Sequence, residues 1–391
     1  MDITNTLKTW FQQTSRVVWL LIAGAVVASG GYIAWAIGAT DGQLAKMLLV
    51  EAKDDTEAIA RQEAMRNERA ETGLRTVDAA LKQFPPGPVL AEGRSDALKQ
   101  LDAILQEADA SQLPAVQQFF HRRINAAVDE MRGTQVRSGA TVWQIYNHGF
   151  VVRTQSATLC FDLVRAKYLR GFALSEQTMV RIVEACDVLF VSHVHADHAE
   201  SFVAQAFIDQ GKPVVAPEQI GYRDALYSKI THFEPSVTEV RTLPVRRGSA
   251  NLRVVVLPGH QGAEIDNNVV LITTPDGISV VHTGDQWYGA ADFAWMEAAG
   301  QRFRVDLLLP NDWTYDLARM VRGFRPALVI PGHANEMGHE TVKRQPYWLS
   351  YQRKAGSDRF GGSARTGYAE PMLVMTWGES YHYERPVVAR Q

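Results

Sequence analysis

Three imidazoles and one carboxylate, His193, His195, Asp197 and His198, fall within six residues of the stretch Val191-Ser-His-Val-His-Ala-Asp-His-Ala-Glu200. That loop holds 3 of the 11 histidines in the chain, more than an incidental polar surface would gather. It directly follows the apolar run Val188-Leu-Phe-Val191, the signature of a buried strand delivering a loop. Side chains at i and i+2 of an extended segment share a face, so His193 and His195 lie side by side. The turn that follows can aim Asp197 and His198 at a neighbouring point. Neutral imidazole and carboxylate are natural ligands of zinc and its neighbours, and the spacing suits two adjacent metal sites.

Three more donors stand at the ends of apolar runs. Leu252-Arg-Val-Val-Val-Leu-Pro-Gly-His260 ends in His260, Gly277-Ile-Ser-Val-Val-His-Thr-Gly-Asp285 in Asp285, and Ala327-Leu-Val-Ile-Pro-Gly-His333 in His333. A single histidine after a strand is usually structural. Three strand-end donors following the loop carry more weight, because strand ends on one edge of a sheet converge in space.

Other residues admit two readings. Asp162, at the end of a strand, either orients a ligand imidazole from behind or caps the next turn. His148, in the turn Asn147-His148-Gly149, is a turn residue or opens onto the site. His282 and His339 are candidate proton donors to a leaving group, or a packed strand residue and a helix-start residue. Asn311-Asp312-Trp313 is placed where a substrate loop would lie. Ser192 precedes the ligands with no elbow motif around it and is not expected to be a nucleophile.

The elements that must position these groups begin near Gly139. Thr141–Tyr146, Phe150–Thr154 and Ala157–Phe161 read as successive strands. Leu174–Cys186 reads as a helix opened by Ser175, and after the cluster come a helix over Ala199–Gln210 and a strand over Pro213–Ala216. This alternation indicates layers of helix and sheet. Cys160 and Cys186 lack a CxxC partner and read as small buried apolar residues rather than a disulfide.

At 391 residues with a net charge of −3, the chain exceeds one ordinary core and gives no reason to expect a nucleic acid partner. Residues 17–40 carry no charge, and about 20 apolar residues cross a bilayer, so 1–40 reads as a membrane anchor, with a cleavable signal as the rival. Either reading suggests export, and small residues such as Gly24 and Ala28 could seat a second copy of the helix. Residues 41–138 read as a helical hairpin or bundle broken at Phe84-Pro-Pro-Gly-Pro88, with Ser95 and Ser111 as N-caps. A stalk, and after it a lid or dimerisation element, are the roles considered for it.

The order His-x-His-x-Asp-His, then His, Asp and His at later strand ends, resembles the metallo-β-lactamase fold superfamily in its binuclear hydrolase branch. The match covers roughly 139–383, the catalytic part being 139–391. Asn147-His148-Gly149, Val281-His-Thr-Gly-Asp285 and Pro331-Gly-His333 are most similar to its lactonase-like and N-acylphosphatidylethanolamine phospholipase D-like members, although the flanks of His148 depart from the form expected there. The resemblance implies an αββα four-layer sandwich. It also implies two divalent ions, zinc first: His193, His195 and His260 on one, Asp197, His198 and His333 on the other, and Asp285 bridging. The implied reaction is hydrolysis of a phosphodiester, lactone or other ester, including lipid-derived ones, by a metal-bridging hydroxide, with Asp197 orienting the nucleophile; the N-terminal apolar stretch, separately, suggests a catalytic part outside the cytoplasm, periplasmic in a bacterium. The alternatives are redox chemistry at a single iron on the same fold and a non-catalytic membrane scaffold.

Overall fold

The computed structural model describes residues 41–245, 251–287, 289–357 and 367–385. The anchor expected over 1–40 lies outside them, and among the described residues no helix is long and apolar enough to cross a membrane. The chain forms two compact units, Met1–Glu68 and Arg69–Gln391, the boundary falling inside the long helix α1 (Asp41–Gln83).

Within the second unit, α2 (Glu92–Leu105) and α3 (Pro114–Gly133) precede the first strand. One sheet contains β1 (Ala140–Gln144), β2 (Phe150–Thr154), β3 (Thr158–Phe161), β4 (Val188–Phe190) and β5 (Val214–Val215), with β12 (Ser380–Tyr383) on its edge in the order β12-β1-β2-β3-β4-β5. The other runs β11-β10-β9-β8-β7-β6, from β6 (Arg241–Pro244), β7 (Asn251–Gln261), β8 (Ile265–Thr273), β9 (Ser279–His282), β10 (Leu307–Leu309) and β11 (Leu328–Val329). The remaining helices are α4 (Glu176–Ala185), α5 (Ser201–Asp209), α6 (Asp224–Tyr227), α7 (Ala290–Arg302), α8 (Leu317–Phe324) and α9 (Tyr347–Lys354).

Strand periodicity sorts the side chains into layers. Val142, Phe150, Val152, Leu159 and Phe161 of one sheet join Val254, Val256, Val280 and Leu307 of the other in a single cluster between the sheets. Their alternates, Trp143, Val151, Cys160 and Leu189, pack outward against helices, as do Val255, Leu257, Val281 and Leu308. The result is the expected layering of helix, sheet, sheet and helix. Ser175 caps α4 as expected, its hydroxyl accepting from Thr178 N–H.

Two expectations are corrected. First, Cys160 and Cys186 form a disulfide, with Cα atoms 6.2 Å apart. β3 and β4 pair in parallel, and the crossover returns Cys186, two residues before β4, to the neighbourhood of Cys160; a pairing made by sheet register leaves no local motif. Second, Ser95 and Ser111 cap neither helix: α2 starts three residues earlier, after Ala91, and α3 starts on Pro114 after Leu113. The fixed φ of proline at the first position substitutes for a side-chain cap there.

The helical segment from Arg69 onward packs against the part that follows it. Leu74, Val77 and Leu81 of α1, Leu98 and Leu101 of α2, and Phe119 and Phe120 of α3 share one cluster with Trp143 and Tyr146. Phe120 stacks on Phe172 at 4.2 Å and meets Trp377 edge-on at 5.3 Å. Buried charge fixes the orientation. Arg94 donates to both Glu379 oxygens, at 2.9 and 2.6 Å, and to Val374 O at 2.7 Å. Arg123 donates to Asp78 at 2.7 Å and to Trp377 O at 2.7 Å. Removing one partner of such a buried pair strands the other charge. Arg94→Met is therefore expected to lower unfolding free energy by roughly 3–5 kcal/mol, measured by denaturant melts of parent and variant.

Candidate metal centre

The seam between the two sheets collects the donors. β4 ends at Phe190 and releases the loop holding His193, His195, Asp197 and His198. β9 ends at His282 and releases Asp285, and β11 ends at Val329 and releases His333. Two glycines make the convergence sterically feasible. A Cβ on Gly284 (φ 53°) would lie 2.2 Å from Asn267 Oδ1 and 2.3 Å from Ser192 Cβ, and one on Gly332 would lie 2.4 Å from the His148 ring. The Thr-Gly-Asp and Pro-Gly-His sequences thus reflect close approach of loops from opposite sheets.

Five of the seven expected ligands meet. His198 Nε2 lies 3.2 Å from Asp285 Oδ1 and 3.4 Å from Asp197 Oδ2. His333 Nε2 lies 3.3 Å from Asp197 Oδ2 and 3.5 Å from Asp285 Oδ1, and His193 Nε2 lies 3.7 Å from Asp285 Oδ2. Among the described residues His193-His198-Asp285 and Asp197-His198-His333 are two of three groups that place one donor atom per residue within 4.8 Å of the others, the third being His148-Asp162-His198. The Nε2 atoms of His193 and His333 are buried with no hydrogen-bond partner. Buried polar atoms are rarely left so, and here both face carboxylates across a gap of ligand dimensions, so the residues fit a cation.

The electrostatics agree. Burial pushes His193 down to about 3, leaving a neutral imidazole with a lone pair to give. Burial would also depress His198, but Asp285, Asp197 and Asp162 around it carry it well above its ordinary value. Burial opposes ionisation of Asp285 and Asp197, yet the neighbouring imidazoles hold both well below the usual carboxylate range. Three carboxylates around one histidine draw positive charge to that point, and a bound cation would supply it in place of the proton.

Polar neighbours fix each ligand. His198 Nδ1 donates to Asp162 Oδ2 at 2.7 Å, which aims Nε2 at the cluster, and Asp162 also accepts from Ser192 N–H at 2.7 Å and Ser192 Oγ at 2.6 Å. Of the two readings of Asp162, the structure selects the orienting one; Ser192 is its donor, with Oγ 2.9 Å from His193 Nδ1. Asn147 Nδ2 donates to Asp197 Oδ2 at 3.0 Å. Asn311 Nδ2 donates to Asp285 Oδ1, and Gln261 Nε2 to Asp285 Oδ2 at 3.0 Å. These three amides are site residues that sequence reasoning did not single out as ligand holders: Asn147 and Asn311 stood in recognised turns, but an amide carries no metal-ligand signal.

His260 and His195 stand outside these groups. His260 Nε2 lies 3.0 Å from Asp292 Oδ1 of α7 and its Nδ1 faces Gly262 O, with the side chain 40% exposed. Its neighbour on β7, Gln261, is the one that reaches Asp285. Successive strand residues point to opposite faces, and the register of β7 on β8 sends the amide inward. His195 contacts His193 edge-on at 4.7 Å between ring centres. The expected first set of His193, His195 and His260 is thus not gathered, whereas the second set and Asp285 are.

His282 is corrected as a proton donor. It is 1% exposed, its Nε2 is engaged by His148 O at 3.0 Å, and its ring stacks on Phe161 at 4.9 Å, so it braces the seam rather than facing a leaving group. His148 is likewise buried, 3.2 Å from Leu309 O, and packs on His282 rather than opening onto the site. His339 lies over His333 at 5.7 Å and beside Trp313 at 5.4 Å, on the wall of the cluster.

These features define a two-sheet sandwich with a cluster of imidazoles and carboxylates at its seam that could hold metal. The two-sheet layering and the His/Asp cluster at its seam agree with the resemblance to the metallo-β-lactamase fold superfamily. No family model matches it. It is 28% identical over 211 residues to a UPF0173 metal-dependent hydrolase of Opitutus terrae, across 50% of this chain and 81% of that one. Among solved structures it is similar to a metallo hydrolase from the archaeon Ignicoccus hospitalis, with 17% identity, 64% of this chain and 100% of that chain covered, and a TM-score of 0.42. It is also similar to an isothiocyanate hydrolase from Delia radicum gut bacteria, with 14% identity, 62% and 99% covered, and a TM-score of 0.43.

Asp162→Ala is expected to leave the sheets folded and to weaken metal binding by roughly 10–100-fold, as loss of an orienting partner commonly does. Competition against a chromophoric chelator measures it; an affinity equal to the parent's would remove Asp162 from the site.

Proposed function

We propose that the chain is a binuclear hydrolase of a phosphodiester, lactone or other ester, with zinc the first choice of ion. The observation that carries this reading is the buried cage of Asp197, His198, His333 and Asp285, with the unpartnered Nε2 atoms of His193 and His333 facing it. Divalent ions bound there supply Lewis-acid polarisation of the scissile group and a water acidified toward neutral pH.

The chain's own groups do the rest. Asp285, held by Asn311 and Gln261 on its two oxygens, would be a shared ligand of the two ions. Asp197, held by Asn147, faces the same cluster, where it would orient the attacking water. Val194, Trp287 and Trp313 are each exposed and within two residues of a proposed ligand or its amide donor, an apolar rim for a substrate. Beside it a cleft of about 640 Å³ runs along Val194, Ala196, Phe202, Ile220 and Leu226, which suits an apolar substituent.

His260 joins the first position only by leaving Asp292. That favours a second reading, in which one ion sits among Asp197, His198, His333 and Asp285 and the enzyme is mononuclear, iron redox chemistry included. Metal analysis separates the two. The binuclear reading expects two zinc equivalents per chain, one in His260→Ala, and loss of turnover on bis-aryl phosphate, lactone or phospholipid substrates in Asp285→Asn and His195→Ala. A single iron per chain, or full turnover after chelation, overturns it.

Anchoring at the membrane and placement of the catalytic part outside the cytoplasm remain part of this proposal. The uncharged, apolar stretch 17–40 and the Cys160–Cys186 disulfide support them, since disulfides persist chiefly in oxidising compartments. Denatured protein purified without reductant is expected to show no free thiol by alkylation and mass measurement; two reactive thiols would remove that support.

A further inference from the structure

The loop that carries His333 passes twice through the left-handed region, at His333 (φ 69°) and Asn335 (φ 51°). Asparagine tolerates that conformation and histidine does so rarely, so the turn persists only where its surroundings hold it. Two restraints come from the catalytic part, His333 N–H donating to Asn147 O at 3.1 Å and Asn335 N–H donating to Gln345 O at 2.7 Å. The others come from the helical segment before it. Asn335 Nδ2 donates to Asp102 Oδ1 at 2.9 Å, and Gln106 Nε2 donates to Asn335 Oδ1 at 2.9 Å.

The same carboxylate fixes the far end of that loop. Asp102 Oδ1 accepts from Tyr347 N–H at 2.7 Å and Oδ2 from Trp348 N–H at 2.8 Å, the first residues of α9. Arg344 reaches back to donate to Leu105 O. Asp102 is 6% exposed on the buried helix face, where Leu98, Leu101 and Leu105 surround it and Arg94 is the other charged residue. An apolar side chain would pack there without the desolvation that a carboxylate suffers. What the carboxylate adds is a hold on both ends of 335–348.

We propose that Asp102, seconded by Gln106, is a positioning residue of the metal centre: through Asn335 it holds the left-handed turn that points His333 Nε2 at Asp197 and Asp285. The inference rests on reading that cluster as a metal site. It gives α2 a task that neither a stalk nor a lid would have, and it makes the segment before Gly139 a working part of the centre.

The test uses the full chain, with zinc affinity from chelator competition and the visible spectrum of the cobalt-substituted protein as readouts. Asp102→Ala is expected to lower affinity on the order of tenfold or more and to shift the cobalt bands, with far-UV circular dichroism unchanged. Gln106→Ala is expected to show a smaller change in the same direction. Arg94→Met, on the same helix but tied to Glu379, is expected to lower stability and leave the cobalt spectrum as in the parent, which separates loss of aim from loss of stability. Should Asp102→Ala not fold, Gln106→Ala and Asn335→Ala decide. Folded variants with parental affinity and spectrum overturn the proposal, as does an equal spectral shift in Arg94→Met. A parent that binds neither zinc nor cobalt overturns the metal-site reading itself, and this inference with it.

Discussion

Three carboxylates, Asp162, Asp197 and Asp285, converge on one buried imidazole, His198, and the site is built to tolerate that concentration of negative charge. A carboxylate taken from water without compensation costs several kcal/mol. Compensation here comes from amide donors on Asp197 and Asp285, from Ser192 on Asp162, and from positive charge drawn to His198. Hydrogen bonds to charged groups contribute about 1.5–3 kcal/mol each. Several together offset burial of the carboxylates, while the charge they leave unbalanced is what a divalent cation would neutralise.

The architecture follows from that demand. Asp162, Asn147 and the 193–198 loop emerge from one sheet, and Gln261, Asp285, Asn311 and His333 from the other, so the centre exists only where the sheets keep their relative placement. The apolar layer between them supplies that placement, and its close packing at Gly284 and Gly332 lets the loops meet. His148 and His282, buried with ring centres 4.1 Å apart and planes tilted by 32°, are part of the same seam. Their conspicuous chemistry serves packing and backbone hydrogen bonding.

Much of this was legible along the chain. The strands around the cluster, the helix capped by Ser175, the layered fold and the strand-end donors all follow from local pattern, because apolar periodicity and turn residues are local quantities. Less legible were features joining distant residues. The disulfide depends on parallel register between β3 and β4. Incorporation of α2 and α3 into the main core depends on aromatic contacts of Phe120 with Phe172 and Trp377. Asp102 looks in sequence like one more charge on a helix, and acquires meaning only when Asn335 and the start of α9 are brought to it.

The sequence by itself determined the inventory of donors: which imidazoles and carboxylates are available, and at the end of which strand each stands. That much is encoded because a ligand's identity is a residue type and its delivery is the end of an apolar run. Tertiary structure decided which donors face one another. On β7 the adjacent His260 and Gln261 were equally available, and the register on β8, with Asp292 waiting on α7, turned the histidine outward and the amide toward Asp285. Orientation is set by neighbours far away in the chain, and a change of one residue in register would reverse it.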